Sequence, residues 1–282
     1  MTRPRSFRTL PWTRIALLCA AIAVTAAVVM GNVPGPATAV QPAAASTGAI
    51  EPTDRHRRVA RLVAEVMERQ HYRQASLDDK LSAQVFERYL EALDGNRSYL
   101  LAPDIAEFEQ YRYEMDDLIK SADLKPAFWM FGRLQERNRE RIAHAISLLD
   151  TEPDFTVDED FRFDRSDEAW PATVAELDEL WRKRVKNDVL SLTLAGKTWP
   201  EAQEVLRKRY ERLLKRIDQV SADDVFETFM NAYSHVYDPH SSYLSPRNSE
   251  EYNIAMSLSY EGIGASLQLI DDYVTVMNVI PG

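Results

Sequence analysis

Residues 237–282 read YDPHSSYLSPRNSEEYNIAMSLSYEGIGASLQLIDDYVTVMNVIPG, and within them the sequence changes from a helical to a β pattern. From Tyr252 onward the apolar period becomes two, most plainly over residues 265–269, where Ala and Leu alternate with Ser and Gln. A pair of aspartates predicts a turn, and residues 273–280 predict a second strand. The end of the chain is therefore predicted to form a small β-rich module.

Upstream of this module, residues 52–236 carry the three-and-four spacing of amphipathic helices. Gly95 ends the second helix, Pro103 and Pro126 begin the third and fourth, and Ser221 is placed as the N-cap of the last. The stripes that define the first four helices are Val59, Leu62, Val63, Val66 and Met67; Leu81, Val85, Tyr89 and Leu93; Ile105, Phe108, Tyr111 and Leu118; and Phe128, Phe131, Leu134, Ile142, Ile146 and Leu149. The fold class is therefore mainly α.

Residues 151–169 interrupt the helical pattern with an acidic stretch. In and just after it, Phe155, Phe161, Phe163 and Trp170 stand at uneven spacing. Aromatic side chains seldom stay exposed in such number, so we expect an ordered excursion that lies over the helices.

The charge of the chain argues against two classes of partner. The 282 residues have a formal net charge of −10, and four of the basic residues lie in the first 39 positions, which contain no acid. The remainder is therefore more acidic still. An acidic body of this kind disfavours nucleic acid or an anionic lipid surface as the main partner.

Residues 1–39 have the order of regions found in a secretory signal. Four arginines precede an apolar run, Ile15–Met30, and Ala37-Thr38-Ala39 offers small residues at a cleavage site. The run is shorter than the roughly 20 residues that span a bilayer. We therefore expect an exported, periplasmic protein that meets the membrane only through this segment. An uncleaved inner-membrane anchor is the alternative, and Leu18 before Cys19 disfavours lipid attachment.

Gly262, Ile263, Gly264 and Ala265 are the strongest candidate binding site. Successive backbone N–H groups in a tight glycine turn form a concave set of donors that suits the carboxylate at the end of a peptide. The strand that follows could then pair with the ligand as an added strand. A plain β-turn that uses two glycines is the structural alternative.

Other chemistry is weakly indicated. His235, Asp238 and His240 resemble a metal cluster, but no further His or Cys is near, and Asp238-Pro239 also reads as a simple turn. The sequence contains no Gly-x-Ser-x-Gly elbow, Ser-x-x-Lys motif, Walker loop or dinucleotide fingerprint. No metal and no cofactor are therefore expected, and the chain shows no convincing nucleophile with its base.

Three motifs resemble one known family. DPHSSYLSP (residues 238–246) and MSLSYEGIGASLQ (residues 256–268) closely resemble the tail-specific, or carboxyl-terminal processing, proteases of bacteria. These are exported serine endopeptidases of the long, Prc-like type. LDGNRSYLLAPDIAEF (residues 93–108) is similar to the helical N-terminal region of that family. The resemblance extends from about Arg57 to Gly282.

The resemblance implies a mechanism and partners. In this family a helical domain precedes a PDZ module, which captures the C-terminal tail of a substrate polypeptide. A protease core then cuts the chain with a Ser nucleophile and a Lys general base. Gly262, Ile263, Gly264 and Ala265 match the carboxylate-binding loop of the family. A helical-repeat lipoprotein adaptor is a further partner that the resemblance implies.

The resemblance also sets the expected domains. They are a signal peptide at 1–39, a linker at 40–52, a helical N-terminal domain at 53–237, and a linker with the first part of a PDZ domain at 238–282. The catalytic Ser and Lys of the family lie beyond Gly282, so the chain is expected to be an N-terminal fragment without peptidase activity of its own. We also expect the unfinished module to expose an apolar face and a free strand edge. The alternative is a non-catalytic helical, PDZ-like peptide-binding or adaptor protein.

Overall fold

The computed structural model describes residues 49–73, 75–257, 264–270 and 273–279. Within these ranges the chain forms nine α-helices, one 3-10 turn at Glu109–Tyr111 and one two-stranded sheet. The elements are α1 (Asp54–Arg69), α2 (Asp79–Asp94), α3 (Ala102–Phe108), α4 (Met115–Ser121), α5 (Lys125–Leu148), α6 (Val174–Leu194), α7 (Trp199–Asp218), α8 (Ala222–Tyr237), α9 (Pro246–Ser257), β1 (Ala265–Ile270) and β2 (Tyr273–Val279). The prediction of a mainly α fold is confirmed.

A first hydrophobic core joins α1, α2, α4, α8 and the first half of α5. Its centre is aromatic, since the edge of the Tyr89 ring faces Phe229 with the ring centroids 5.2 Å apart. Phe86 and Phe226 are also fully buried. The Tyr89 hydroxyl donates a hydrogen bond of 2.9 Å to the carbonyl of Ala127, which satisfies the polar tip of a buried ring. The contact ties α2 to the start of α5.

A second core is formed by the last part of α5 with α6 and α7. Ile142, Trp181 and Leu206 are fully buried there. The indole Nε1–H of Trp181 donates to the carbonyl of Ser98 at 2.7 Å. The tryptophan therefore fastens α6 to the turn that follows α2.

Helix α5 belongs to both cores. It is 24 residues long, and Phe128 and Leu134 on its first half pack in the first core, whereas Ile142 and Ala145 pack in the second. At 1.5 Å per residue a helix of this length covers about 36 Å. A single rigid element therefore connects the two hydrophobic clusters.

The turn between α2 and α3 is organised by Asp94. Its carboxylate accepts backbone N–H bonds from Ser98, Tyr99 and Leu100, each at 2.9 Å. Within the turn, Arg97 adopts a left-handed conformation with φ of +50°. The three bonds satisfy donors that neither helix can pair, so the turn is held closed from inside the protein.

A second buried carboxylate, Asp104 in the first turn of α3, binds α5. It accepts the backbone N–H of Leu101 at 3.0 Å and also bonds the guanidinium groups of Arg133 and Arg137 at 2.9–3.0 Å. Its side chain is 1% exposed. Asp104 therefore caps α3 and at the same time anchors that helix to α5.

The buried face of α1 differs from the predicted stripe. Met67 is buried as expected, but Leu62 is 60% exposed and the core-facing positions are His56, Ala60 and Ala64. Alanines let a neighbouring helix approach closely, and a stripe chosen by hydrophobicity overlooks them. The predicted orientation of this helix was therefore wrong by part of a turn.

The predicted third helix is divided. The stripe from Ile105 to Leu118 was assigned to one helix, but the chain forms α3, a 3-10 turn and then α4. The Ser82 hydroxyl accepts the N–H of Met115 at 2.8 Å and donates to the carbonyl of Arg112 at 2.9 Å. A side chain of α2 thus takes the place of the helical bonds that would have continued across the break.

Residues 151–169 form neither helix nor strand, and they are fastened to α6. The amine of Lys186 contacts Glu159 at 2.5 Å and donates to the carbonyl of Val157 at 3.0 Å. Phe155 and Phe163 are 41% and 71% exposed. An excursion attached to the helices is confirmed, but the expectation that its aromatic residues are covered was wrong for these two.

The first residues of the predicted β region are helical. Helix α9 extends to Ser257, whereas the sequence pattern placed the change of period at Tyr252. The Ser245 hydroxyl accepts the N–H of Asn248 at 3.4 Å, and Pro246 occupies the first helical position. Ser-Pro at a helix start is the signal that could have predicted α9. The predicted signal segment and linker, residues 1–48, lie outside the described residues.

Candidate peptide-binding edge

The structure describes half of the predicted carboxylate-binding turn. Gly264 has φ of +69°, a left-handed conformation that glycine adopts without a side-chain penalty. Ala265 follows it as the first residue of β1. Gly262 and Ile263 lie outside the described residues. The described half therefore places a left-handed glycine directly before a strand.

Among the described residues, strand β1 is paired along one edge. It runs antiparallel to β2, with Ala265 opposite Val279 and Leu267 opposite Val276, and the register shifts by one residue after Ser266. In the described ranges the sheet has these two strands and no other. The second edge of β1 thus offers unpaired backbone donors and acceptors to an extended peptide.

The hairpin carries apolar side chains that no described residue covers. Val274, Val276, Met277 and Val279 of β2 are each more than half exposed. Val274, Val276 and Val279 lie opposite Leu269, Leu267 and Ala265, so they share one face of the hairpin, and Met277 is the bulge residue without a partner. One face of the hairpin therefore presents apolar surface, and a two-stranded hairpin of this kind needs a further packing partner to be stable.

The segment before α9 is bound to α8. The backbone N–H of Ser245 donates to Glu227 at 3.0 Å, and the side-chain amide of Asn248 donates to both carboxylate oxygens of Glu227 at 2.8 and 2.9 Å. The N–H of Tyr243 donates to the side chain of Asn231 at 2.7 Å. The helical domain thus fixes where α9 begins. No sequence pattern marks Glu227 or Asn231 for this role, because both resemble ordinary polar positions on a helix.

The chain is similar to a known family model and to a curated relative. Residues 63–247 match the family model described as the tail-specific protease N-terminal domain. The tail-specific protease of Haemophilus influenzae is 40% identical over 213 residues, and the match covers 75% of this chain and 31% of that relative.

The chain belongs to the tail-specific protease family. The matched region runs from within α1 through the segment that Glu227 holds against α8, so it includes the second hydrophobic core and all of the first core except Ala60. The chain spans less than a third of the length of the relative. The family resemblance that the three sequence motifs indicated is confirmed.

The family motif DPHSSYLSP is a capped turn in this tail-specific protease chain. Asp238 accepts the hydroxyl of Tyr72 at 2.5 Å and the backbone N–H of His240 at 2.7 Å. The Tyr72 bond is the main reason that the pKa of Asp238 falls to about 2. The ring of His240 contacts the same carboxylate at 2.9 Å, whereas His235 contacts Ser242. The described residues contain no cluster of three potential metal ligands.

Two serine–histidine contacts in the same region lack the arrangement of a nucleophile and its base. The Nδ1 of His71 accepts the N–H of Arg73 at 3.2 Å, so its Nε2 carries the proton and donates to Ser241 at 3.3 Å. A ring in that tautomer cannot take a proton from the serine. His235 contacts Ser242 at 3.0 Å, but no carboxylate orients its ring within the described part of the chain.

Lysine chemistry is also not indicated in the helical region. Lys186 is the buried lysine among the described residues, and its amine is bound to Glu159 and a carbonyl oxygen. These contacts fasten the 151–169 excursion to α6. Among the described residues, the edge of β1 is the part best suited to bind an extended peptide.

Proposed function

We propose that this chain is the N-terminal portion of an exported tail-specific serine endopeptidase. Residues 53–237 form its helical domain, and residues 238–282 contain the start of a PDZ module that recognises the C-terminus of a substrate polypeptide. The observation that carries the proposal is Gly264, which is left-handed and opens a strand with a free edge in a chain of this family.

The chemistry of this edge fits a peptide that ends in a free carboxylate. Backbone N–H groups around Ile263 would receive the carboxylate, with Gly264 setting the turn. The last residues of the peptide would add to β1 as an antiparallel strand. A Ser nucleophile and a Lys general base, contributed by sequence that follows residue 282, would then cut the bound polypeptide.

The binding step is tested by calorimetry on the longest product that the reading frame encodes. A peptide with an apolar C-terminus and a free carboxylate is titrated, and then the same peptide with an amidated end. The free acid should bind at least about tenfold more tightly, because charge-assisted hydrogen bonds to an ionised group are lost in the amide. Equal affinities of the two peptides would rule out the proposed capture of a carboxylate.

Gly264→Val tests whether the left-handed position matters. Valine is β-branched and strongly disfavours φ of +69°, so the turn should open and the free-acid peptide should lose at least about tenfold in affinity. Gly196→Val is the matched control, since Gly196 has φ of +88° in the turn between α6 and α7. The control should carry a similar backbone penalty while peptide affinity stays unchanged.

Export is the second part of the proposal, and it rests on the order of regions in residues 1–39. Sequencing the N-terminus of the product found outside the cytoplasm should give Val40 as its first residue. An intact N-terminus in the membrane fraction would instead indicate the uncleaved anchor. In the described residues no helix is both long and apolar enough to cross a membrane.

A further inference from the structure

A pocket separate from the peptide-binding edge lies where the α2–α3 turn, the 151–169 excursion and α6 meet. Its volume is about 180 Å³. The residues that give it chemical character are Asn96, Phe161, Phe163, Arg165, Trp181 and Arg184. The wall thus combines two guanidinium groups with three aromatic rings.

The two arginines of the pocket differ from most other arginines of the described residues. Neither Arg165 nor Arg184 forms a salt bridge within the described ranges, although most other arginines there do. The Nε of Arg165 is buried and has no hydrogen-bond partner among the described residues. A donor left without a partner is unfavourable, and no described group competes with a ligand for this Nε–H.

The guanidinium of Arg184 is held in place by stacking. It lies over the Trp181 ring at 4.6 Å from the centroid, and Trp181 itself is fixed by its bond to the Ser98 carbonyl. A stacked guanidinium keeps the edge of its plane free for a bidentate acceptor. The position of this charge is therefore set before any ligand binds.

Acidic groups near the pocket only partly balance the two arginines. Asp188 lines the pocket and accepts the hydroxyl of Tyr210 at 2.7 Å. Asp94 lies behind the turn, where burial raises its pKa in spite of its backbone hydrogen bonds and the nearby charge of Arg165. The pocket wall itself carries two positive groups and one negative group.

The aromatic side of the pocket is unusual for a surface loop. Phe161 and Phe163 meet edge to face with centroids 5.0 Å apart, yet Phe163 is mostly exposed. An exposed phenylalanine at the rim of a pocket gains apolar contact when an apolar ligand occupies the pocket. The pocket can therefore bind an apolar group and an anionic group next to each other.

From this juxtaposition we propose that the pocket binds the carboxylate of an organic acid with an aromatic or compact apolar body. The carboxylate pairs with Arg165 and Arg184, and the apolar body lies against Phe161 and Phe163. A cavity of about 150 Å³ is known to hold one benzene molecule, so the volume suits a single ring with a short acidic arm. The acid is either a free small molecule or the end of a polypeptide with a C-terminal phenylalanine.

The probe for the test is 3-phenylpropionate, titrated into the purified chain and followed by ligand-observed NMR. The expected dissociation constant is about 1 mM, which is ordinary for a ligand of this size. The neutral analogue 3-phenylpropanamide should bind at least about tenfold more weakly. The absence of saturable binding by the acid, or equal binding of the amide, overturns the proposal.

Variants place the binding in the pocket. Arg184→Gln removes one guanidinium, and Asn187→Asp adds a negative charge to the wall with almost no change in volume. Each should weaken the acid at least about tenfold. Lys183→Gln is the control, because it also removes one positive charge but Lys183 does not line the pocket. This variant should bind the acid as tightly as the unaltered chain does. An equal loss in all three variants, or no loss in the first two, contradicts the site.

The source of the acid is resolved by a second titration. An acetylated tripeptide that ends in phenylalanine is compared with 3-phenylpropionate in the Gly264→Val background, which removes the peptide-binding turn. Tighter binding of the tripeptide assigns the pocket to polypeptide ends, and tighter binding of 3-phenylpropionate assigns it to small acids. Loss of both ligands on Gly264→Val shows that the binding belongs to the β module and overturns the proposal without affecting the proposed function.

Discussion

At the scale of single residues, two buried carboxylates of the helical domain have pKa values that are shifted in opposite directions. Burial raises the pKa of Asp94, and its three backbone N–H donors only partly offset that effect. Burial also acts to raise the pKa of Asp104, but its bonds to Arg137, Leu101 and Arg133 outweigh it, so that pKa is lowered. The difference comes from the partners, since formal positive charges stabilise a carboxylate more strongly than amide dipoles do.

Asp104→Asn should therefore destabilise the protein strongly near neutral pH. The amide places an NH₂ group where a carboxylate oxygen accepted the N–H of Leu101 and the Nε–H of Arg137, and the two arginines lose the buried negative charge that they share. We expect a loss of about 3 kcal/mol in the free energy of unfolding, measured by urea denaturation at about pH 7. Glu107→Gln is the control, because Glu107 also contacts Arg133 but is half exposed, and it should cost under about 1 kcal/mol.

The same variant predicts a pH dependence. The folded-state pKa of Asp104 lies below its ordinary value of 3.8, so its stabilisation is present above that value and is lost as the pH falls through the folded-state pKa. The difference between the unaltered chain and Asp104→Asn should therefore shrink as the pH falls below 3.8. A difference that stays constant over this range would show that the arginines do not stabilise the ionised form.

At the scale of secondary-structure elements, helix starts depend on local side-chain bonds. Ser221 caps α8, since its hydroxyl accepts the N–H of Asp224 at 3.3 Å while Asp224 accepts the N–H of Ser221 at 2.8 Å. This capping box is located where α8 enters the first core between α2 and α5. The placement of Ser221 as an N-cap, predicted from the sequence, is confirmed.

Ser221→Ala should lower the free energy of unfolding by about 1 kcal/mol, because the N–H of Asp224 in the first turn of α8 loses its acceptor. Ser221→Asn retains a side-chain acceptor and should cost much less. Parallel urea denaturation of the two variants checks this prediction. Equal losses would mean that the cap does not contribute to the stability of α8.

The excursion at 151–169 depends on an ion-pair cluster with α6. Hydrogen bonds from Arg182 and Lys186 lower the pKa of Glu159 to about 2. Glu159→Gln should detach the excursion and increase the rate of proteolytic cleavage within it several-fold, while the helices stay protected. Limited proteolysis with mass spectrometry measures the sites and rates. Glu152→Gln, a change of the same type at an exposed position of the same segment, should leave the cleavage pattern unaltered.

A helix could be predicted from the sequence where its apolar stripe is the face that is buried and its end signals are local. The α2 stripe through Leu81, Val85 and Tyr89 is buried as predicted, and Gly95 does follow the last helical residue. The face of α1 was missed because the buried positions Ala60 and Ala64 carry little hydrophobic signal. The break before α4 was missed for another reason, since a distant side chain, Ser82, provides the bonds that stabilise it.

The two candidate sites also differ in whether the sequence could predict them. Gly264 was predictable because a left-handed turn before a strand is encoded by neighbouring residues. The organic-acid pocket was not, because Asn96, Arg165 and Arg184 are widely separated in the chain and converge only when α6 packs against the α2–α3 turn. No local pattern marks an arginine that lacks a partner. The lack of a salt-bridge partner can be recognised only in the folded structure, where the positions of the acidic side chains are known.

At the scale of the whole described molecule, α5 carries residues of both hydrophobic cores. Opening of the second core would expose the last turns of α5. The first turns of the same helix pack in the first core, so the two cores are connected through α5. Helices transmit such a change because their hydrogen bonds are cooperative. We therefore expect the helical domain to unfold in one transition.

Leu206→Ala tests this coupling. Leu206 is fully buried in the second core, and its truncation should cost about 3 kcal/mol. Hydrogen exchange should report a similar loss of protection in α2, which belongs to the first core. Leu194→Ala, a truncation of the same type at a position 80% exposed on α6, should have almost no effect. Loss of protection confined to α6 and α7 would show that the two cores open independently.

We propose that this chain presents substrate tails to a serine protease core through the turn at Gly264. The most direct test of this proposal is the rate at which the longest product of the reading frame cleaves a fluorogenic peptide with an apolar, free-acid C-terminus. Cleavage should fall at least about tenfold when the C-terminus is amidated and when Gly264 is changed to Val, and residues 1–282 alone should not cleave the peptide. The proposal would be contradicted if the free-acid and amidated peptides were cleaved at equal rates by the unaltered protein and by Gly264→Val. Cleavage by residues 1–282 alone would also contradict it.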